Sequence, residues 1–198
     1  AAGIECSALP TAILSTHTGG FTGYTFLDLT EEILPIVHHW EKESIQVDAL
    51  YSGYVGSDAQ FPIIRDVFTR LRGEDTLIMV DPVMADNGRY YPGFSEKTAE
   101  GMRTLCKMAD VLVPNMTEAA FLLGEDYREG PYDSAYLEHL LQGLAKLGPK
   151  NIVLTGVYPQ ENQLGAACMS VKDSGRIEWI LAEKLPGMYH GTGDIFAS

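Results

Sequence analysis

The stretch Thr76-Leu77-Ile78-Met79-Val80-Asp81-Pro82 decides the fold. Its apolar residues follow one another without polar alternation, which is typical of a strand that helices cover on both faces. Asp81-Pro82 then ends the run. Three further short strands are predicted, and each also ends at a polar residue: Leu50 to Tyr54, Asp110 to Val113, and Asn151 to Leu154. Strands of this kind, separated by helices, predict an α/β fold with a mainly parallel sheet.

Amphipathic segments fill the gaps between these strands and predict the helices of the fold. Towards the end of the chain the pattern changes to two strand-like segments, Ala166 to Val171 and Ile177 to Leu181. Asp173-Ser174-Gly175 between them is a turn signal, so this part of the sequence predicts an antiparallel hairpin. The predicted helices run from Thr30 to about Lys42, over 58–72, from an N-cap at Ser95 to about Met108, from an N-cap at Thr117 to a stop at Gly124, and over 133–147.

Composition narrows the classes of partner. The chain has 198 residues and a formal net charge of -13, which repels nucleic acid and anionic membranes, so we expect neither as a partner. No apolar run reaches the roughly 20 residues that span a bilayer. Three widely spaced cysteines, Cys6, Cys106 and Cys168, form no disulfide framework and no metal-binding spacing, which favours the reducing cytoplasm.

Four polar residues follow the predicted parallel strands: Tyr54, Asp81, Asn115 and Thr155. Ligands of open parallel sheets gather beyond the carboxyl ends of the strands. A polar residue at one strand end is weak support for a site, because turns favour polar residues too. Their convergence at one edge would make a binding site.

The strongest local motif is His190-Gly191-Thr192-Gly193-Asp194, followed by the apolar Ile195 and Phe196. The two glycines let the backbone approach a ligand closely, and the apolar run predicts a helix that starts here. Backbone N–H groups at a helix start bind anions such as a phosphoryl group. Asp194 would then accept a proton from an attacking hydroxyl, or would merely cap the helix; the motif alone leaves both interpretations open.

Several motifs together resemble the ribokinase-like superfamily, in particular its vitamin B6 kinase branch. Gly191 to Asp194 resembles the anion-hole motif of the superfamily. Asp81-Pro82-Val83-Met84 with Asp86-Asn87-Gly88, and Pro114-Asn115-Met116-Thr117-Glu118, resemble elements of the B6 branch, as does Ser15-Thr16-His17-Thr18-Gly19. The resemblance implies a three-layer αβα ribokinase-like fold and ATP-dependent phosphorylation of the 5′-hydroxyl of pyridoxal, and of pyridoxamine or pyridoxine as further acceptors.

By position, the resemblance implies a role for each residue of the phosphoryl-transfer site. Asp194 would be the catalytic base, and Gly191, Thr192 and Gly193 would form the anion hole. Thr155 would contact an ATP phosphate. Asn115, Glu118 and Asp81 would hold Mg²⁺ with ATP, and a monovalent cation such as K⁺ is a further expectation. Such a site suits Mg²⁺, which keeps several waters and takes few protein ligands.

For the acceptor pocket, the resemblance implies Thr18, His17 and Tyr54 as lining residues. The loop from Ala85 to Pro92 would close over the site, with Tyr91 facing the ligand. Tyr51, in the same predicted strand as Tyr54, is expected in the core. The resemblance also implies a homodimer.

Two alternatives stay open. A hydroxymethylpyrimidine kinase shares the Asp-Pro-Val-Met and Pro-Asn elements, but enzymes of that type usually carry cysteine where this chain has Asp194. A non-catalytic protein that binds vitamin B6 or nucleotide would keep the fold without the reaction. We expect residues 1–198 to form one ribokinase-like domain that is incomplete at both ends, because the family's first strand and last helices have no counterpart in the sequence.

Overall fold

A computed structural model describes residues 3–18, 21–173, 175–185 and 187 of the chain. In chain order its elements are β1 (Ala12–Leu14), β2 (Phe26–Asp28), α1 (Thr30–Lys42), β3 (Ala49–Ser52), α2 (Gln60–Leu71), β4 (Leu77–Val80), β5 (Ala85–Asp86), β6 (Arg89–Tyr90), α3 (Glu96–Cys106), β7 (Val111–Leu112), α4 (Met116–Leu123), α5 (Ser134–Ala145), β8 (Asn151–Val157), β9 (Gln163–Ser170) and β10 (Ile177–Glu183). In the part of the chain described here, no helix is both long enough and apolar enough to cross a membrane.

The central sheet has six strands in the order β10-β9-β8-β7-β4-β3. Strands β3, β4, β7 and β8 run parallel, while β9 and β10 are antiparallel to their neighbours. Two small antiparallel pairs, the β1–β2 hairpin and the β5–β6 hairpin, stand outside this sheet. The predicted α/β fold, with a mainly parallel sheet and a late antiparallel hairpin, is confirmed.

Helices α2 to α5 pack on one face of the sheet. Because β3, β4, β7 and β8 succeed one another in one direction, right-handed crossovers place the connecting helices on the same side. Fully buried side chains of the strands, such as Ile78, Leu112 and Ile152, form one core with these helices. On the opposite face Tyr51 and Leu77 are about half exposed in the described chain.

Two helix starts were predicted correctly. Helix α1 begins at Thr30 with two acidic residues in its first turn, and it accommodates Pro35 within its length. Helix α3 follows Ser95, whose side chain accepts from the Thr98 backbone while the Thr98 hydroxyl accepts from the Ser95 N–H. This reciprocal capping box satisfies two backbone donors that the first turn of a helix leaves unpaired.

Two boundaries differ from the sequence prediction. The N-cap of α4 is Asn115 and not Thr117, because the Asn115 Oδ1 accepts the Glu118 N–H at 2.9 Å. Strand β8 continues through Thr155 to Val157, so Thr155 lies inside the strand and does not follow its end. The continuation passes a bulge at Gly156, whose φ of +71° is a backbone conformation that glycine adopts without strain.

A buried carboxylate fixes the amino ends of the strands. The carboxylate of Asp110 accepts the Ile78 N–H at 2.9 Å, the Arg72 guanidinium at 3.1 Å and the Lys150 ammonium at 2.6 Å. Burial alone would raise the pKa of Asp110. The hydrogen bonds from Lys150 and Ile78 and the charge of Arg72 outweigh burial and hold this pKa below its ordinary value.

The substitution Asp110→Asn is expected to lower the free energy of unfolding at neutral pH by about 2 kcal/mol, since charge-assisted hydrogen bonds become neutral ones. The folded state depresses the pKa of Asp110, so this stabilisation is complete above the unfolded value of about 3.9 and is lost as the pH falls through the folded value. The difference between wild type and variant should therefore close in acid. Urea unfolding at neutral and acid pH measures it, with the exposed Asp75→Asn as control. An equal difference at both pH values would contradict this account.

Candidate functional site

The carboxyl edge of the parallel strands gathers three of the predicted site residues. Asp81 follows β4, and its N–H donates to the Ser52 carbonyl at the end of β3 at 2.8 Å. Asn115 follows β7 and pairs with Thr155 across an isolated parallel bridge. The Thr155 N–H donates to the Pro114 carbonyl at 2.9 Å, which fixes the two segments to each other. The predicted convergence of these residues is therefore present: Asp81 and Asn115 follow their strands, and Thr155 joins them from within β8.

The buried carboxylate of Glu118 connects the start of α4 to the β5–β6 hairpin. One of its oxygens accepts the Asn115 N–H at 2.8 Å, and the other accepts the Met84 N–H at 3.2 Å. The Asn115 Nδ2 donates to the Ala85 carbonyl at 2.8 Å. Asn115 and Glu118 therefore form a capping box and also hold the base of the hairpin.

The tip of the same hairpin is attached to α4 as well. The buried hydroxyl of Thr117 accepts the Gly88 N–H at 3.1 Å. The Tyr90 ring packs on the Phe121 ring with their centroids 4.4 Å apart. The predicted closing loop, Ala85 to Pro92, thus contains a β-hairpin that lies against α4.

Burial raises the pKa of Glu118 well above its ordinary value, and the negative charge of Asp81 raises it further. Backbone N–H groups of Asn115, Met84 and Ala85 oppose the shift without cancelling it. Asp81 is itself almost fully buried. Two acids at one edge, in a poorly solvated position, make a region that a cation would stabilise.

The donor chemistry at this edge fits Mg²⁺. Carboxylate, amide and backbone carbonyl oxygens are hard ligands of the type that Mg²⁺ takes, usually together with several waters. In the described ranges, no three His, Cys, Asp or Glu side chains come together as a metal cluster. The fit is therefore to an ion held by one or two acids, near Asp81 and Glu118, and not to an all-protein cage.

Tyr51 is a site neighbour that the sequence did not reveal. We expected it in the core, but its side chain is half exposed and its hydroxyl donates to the Asp81 carboxylate at 2.9 Å. The prediction was wrong because it depends on strand register. Tyr51 lies beside Met79 of β4, which places its ring on the face that α2 to α5 leave open.

A cavity of about 420 Å³ opens beside this edge. The residues around it come from the β1–β2 hairpin region, the loop before α2 and the segment before α3: Tyr24, Phe26, Tyr54, Gly56, Ser57, Asp58, Pro92, Gly93 and Phe94. The Tyr54 ring lies 5.5 Å from the Phe94 ring, centroid to centroid. Burial and the neighbouring Tyr24 raise the pKa of Tyr54, which keeps its hydroxyl protonated.

Of the predicted acceptor residues, only Tyr54 lines this cavity. His17, Thr18 and Tyr91 are not among its lining residues. His17 packs edge-on against Phe21, with ring centroids 4.9 Å apart, and Thr18 is partly buried. The Tyr91 N–H donates to the Met84 carbonyl at 2.9 Å. The predicted base Asp194 and the anion-hole residues Gly191, Thr192 and Gly193 lie outside the described residues.

Comparison with known proteins points to one family. The sequence profile of phosphomethylpyrimidine kinases matches residues 1–198. A pyridoxal kinase of Granulibacter bethesdensis is 29% identical over 99% of this chain and 70% of its own length. A pyridoxal kinase of Leifsonia xyli is 27% identical over 99% of this chain and 69% of its own length.

Solved structures give the same picture. A Bacteroides thetaiotaomicron protein, described as a phosphomethylpyrimidine kinase and crystallised with pyridoxal, is 38% identical to this chain. The two structures match with a TM-score of 0.88 over 96% of this chain and 66% of the other. The pyridoxal kinase of Lactobacillus plantarum is 36% identical, and its structure matches with a TM-score of 0.84 over 96% of this chain and 66% of its own. The chain thus spans roughly two-thirds of the length of the proteins that it matches.

The substitution Thr117→Val should loosen the β5–β6 hairpin without changing the volume of the side chain. The Gly88 N–H loses its acceptor, which is worth about 1 kcal/mol and should speed its hydrogen exchange about fivefold. Exchange measured residue by residue over 85–90 checks this expectation. Thr69→Val is the matched control, because the exposed Thr69 hydroxyl bonds only within α2. Unchanged exchange at Gly88 would contradict the attachment.

Proposed function

Because the chain belongs to the phosphomethylpyrimidine kinase family, we propose that the protein transfers the γ-phosphoryl group of ATP to the 5′-hydroxyl of pyridoxal. The observation that carries the proposal is the carboxyl edge, where Asp81, Asn115 and Thr155 meet beside a cavity that Tyr54 lines. Several relatives by sequence are pyridoxal kinases, and a structural relative binds pyridoxal. Pyridoxamine and pyridoxine are further acceptors under this proposal.

Phosphoryl transfer depends mainly on positioning and on stabilising charge, because its transition state is largely dissociative. Asp194 accepts the proton of the attacking 5′-hydroxyl in this proposal, while the N–H groups of Gly191, Thr192 and Gly193 receive the negative charge of the transferring group. Thr155 contacts a phosphate of ATP.

Asp81, Asn115 and Glu118 are the residues that would hold Mg²⁺ together with its waters, and K⁺ is a further expectation for the same region. When bound, Mg²⁺ neutralises charge on the phosphates of ATP. Both Glu118 oxygens already accept backbone N–H groups, so its support for the ion is best satisfied through water. The fixed carboxylate then orients the metal-bound waters as a second layer of ligands does elsewhere.

On the acceptor side, Tyr54 would contact the pyridoxal ring from the cavity, with Thr18 and His17 as further lining residues. Tyr91 would face the ligand when the loop from Ala85 to Pro92 closes. The aromatic wall of Tyr24, Phe26, Tyr54 and Phe94 suits a flat pyridine ring, since offset or tilted ring contacts are favourable. A hydroxymethylpyrimidine kinase stays the alternative in the same family. Asp194, where such enzymes usually carry cysteine, favours pyridoxal.

The β1–β2 hairpin supports the proposed homodimer. On one side of this hairpin Ile13 and Leu27 lie directly opposite each other and are each more than half exposed, which makes a short apolar strip on an otherwise acidic protein. Apolar strips of this kind commonly mark subunit contacts. We place the protein in the reducing cytoplasm, where its three free cysteines stay reduced. Sedimentation equilibrium measures the mass that decides the dimer.

The decisive assay offers pyridoxal, pyridoxamine, pyridoxine and hydroxymethylpyrimidine with MgATP to the whole protein. We expect pyridoxal to be phosphorylated, and Asp194→Asn to reduce turnover by about 10² to 10⁴ while ATP binding stays unchanged. Asp173→Asn, in the turn after β9, serves as control. If no B6 vitamer is turned over, the proposal fails. Calorimetric binding of pyridoxal without any transfer would instead support a non-catalytic binding protein.

Glu118→Gln should raise the Mg²⁺ concentration at half-maximal rate by about tenfold, because the negative charge near the ion is lost while the side-chain shape is kept. A Mg²⁺ titration at fixed ATP measures the shift. Thr117→Val separates this effect from loosening of the β5–β6 hairpin, since it removes a hairpin contact and no charge. The exposed Glu138→Gln is the charge control. An unchanged titration would count against the metal role of Glu118.

A further inference from the structure

The side chain of Gln60, the first residue of α2, is a fully buried amide with every polar atom in use. Its Nε2 donates to the Thr11 carbonyl at 2.9 Å, to the Thr30 hydroxyl at 2.9 Å and to the Asp28 carboxylate at 3.2 Å. Its Oε1 accepts the Gly56 N–H at 2.8 Å. A buried amide with this many partners is costly to lose and well suited to fix the segments it joins.

The three acceptors of the Gln60 Nε2 lie at the two ends of the β1–β2 hairpin. Thr11 directly precedes β1, Asp28 ends β2, and Thr30 begins α1. The Leu29 N–H also donates to the Thr11 carbonyl at 3.1 Å, and the Asp28 carboxylate accepts the Thr30 N–H at 2.7 Å. Gln60 therefore binds both ends of the β1–β2 hairpin, where its strands join the rest of the protein.

The partner of Oε1 belongs to the cavity wall. Gly56 lines the 420 Å³ cavity together with Tyr54, and the hairpin region contributes Tyr24 and Phe26 to the same lining. Gly56 is packed so closely that an added Cβ would lie 3.1 Å from the Ala12 Cβ and 3.2 Å from the Thr11 carbonyl oxygen. One amide thus joins the two segments that contribute these lining residues.

We propose that Gln60 is a positioning residue that holds the β1–β2 hairpin against the loop before α2 and thereby sets the affinity for the phosphoryl acceptor. The inference rests on the proposed function, because it assigns the acceptor to this cavity. Gln60 does not line the cavity, so its effect on the acceptor passes through Gly56 and through the hairpin. The four hydrogen bonds of this amide go to Thr11, Asp28, Thr30 and Gly56, and not to the edge with Asp81 and Glu118, so the affinity for MgATP should stay unchanged.

The test is Gln60→Met, which keeps an unbranched side chain of similar length and removes all four hydrogen bonds. We expect KM for pyridoxal to rise on the order of tenfold, since misplaced binding groups weaken productive binding. KM for MgATP should stay unchanged, and hydrogen exchange of the hairpin amides in 12–14 and 26–28 should become faster. Thr30→Val removes one acceptor of the Gln60 Nε2, together with the hydrogen bond that the Thr30 hydroxyl donates to Asp28, and leaves the other three Gln60 hydrogen bonds in place. It should give a smaller change in the same direction, which keeps the test available if Gln60→Met does not fold.

The exposed Gln142→Met on α5 is the matched control and should behave as wild type. A folded Gln60→Met with unchanged KM for pyridoxal would overturn the proposal, as would equal rises in both KM values, which indicate a general loss of structure. If the wild type phosphorylates no B6 vitamer, the proposed function fails by itself. In that case unchanged hairpin exchange in Gln60→Met would separately overturn the positioning role.

Discussion

The buried carboxylate of Glu118 is the interaction on which the candidate site depends. A carboxylate removed from water is unfavourable unless hydrogen bonds replace its hydration. Here the N–H groups of Asn115 and Met84 supply them, one from the start of α4 and one from the base of the β5–β6 hairpin. The same side chain therefore starts a helix, anchors a loop and places a negative charge near Asp81. Removing it would leave backbone donors of two separate segments without partners.

The topology of the sheet explains why the site lies where it does. The crossovers between β3, β4, β7 and β8 all run in one direction and place α2 to α5 on a single face of the sheet. Because these strands are parallel, their carboxyl ends share one edge, and this edge brings Asp81, Asn115 and Thr155 together. The small hairpins both arise at this end. One is fastened through Asn115, Glu118 and Thr117, and the other through the Gln60 amide. The two hairpins thus have separate polar attachments, and the 420 Å³ cavity is bordered by the β1–β2 hairpin region and by Pro92 to Phe94, which follow the β5–β6 hairpin.

The sequence predicted what depends on local pattern and missed what depends on long-range partners. Continuous apolar runs and capping residues located β4 and the starts of α1 and α3, whereas the start of α4 was predicted two residues too late, with Thr117 in place of Asn115 as its cap. The sequence could not show that Asn115 and not Thr117 caps α4, because the Thr117 hydroxyl instead accepts the Gly88 N–H of a hairpin that is distant in sequence. Tyr51 and Gln60 were missed for a similar reason. Their partners are set by strand register and by packing of segments about 30 residues away.

The dual use of Glu118 couples two parts of the proposed kinase. Burial and Asp81 both disfavour the charged form of Glu118, while the backbone donors that hold the β5–β6 hairpin favour it. A positive charge at this edge would favour the same charged form and so strengthen the attachment of the hairpin. By linkage, a firmly attached hairpin must then favour cation binding to the same degree. If the proposed cation binds at this edge, order in the β5–β6 hairpin and binding of the cation would both depend on the charged form of Glu118, whose carboxylate contacts the base of the hairpin and lies near Asp81.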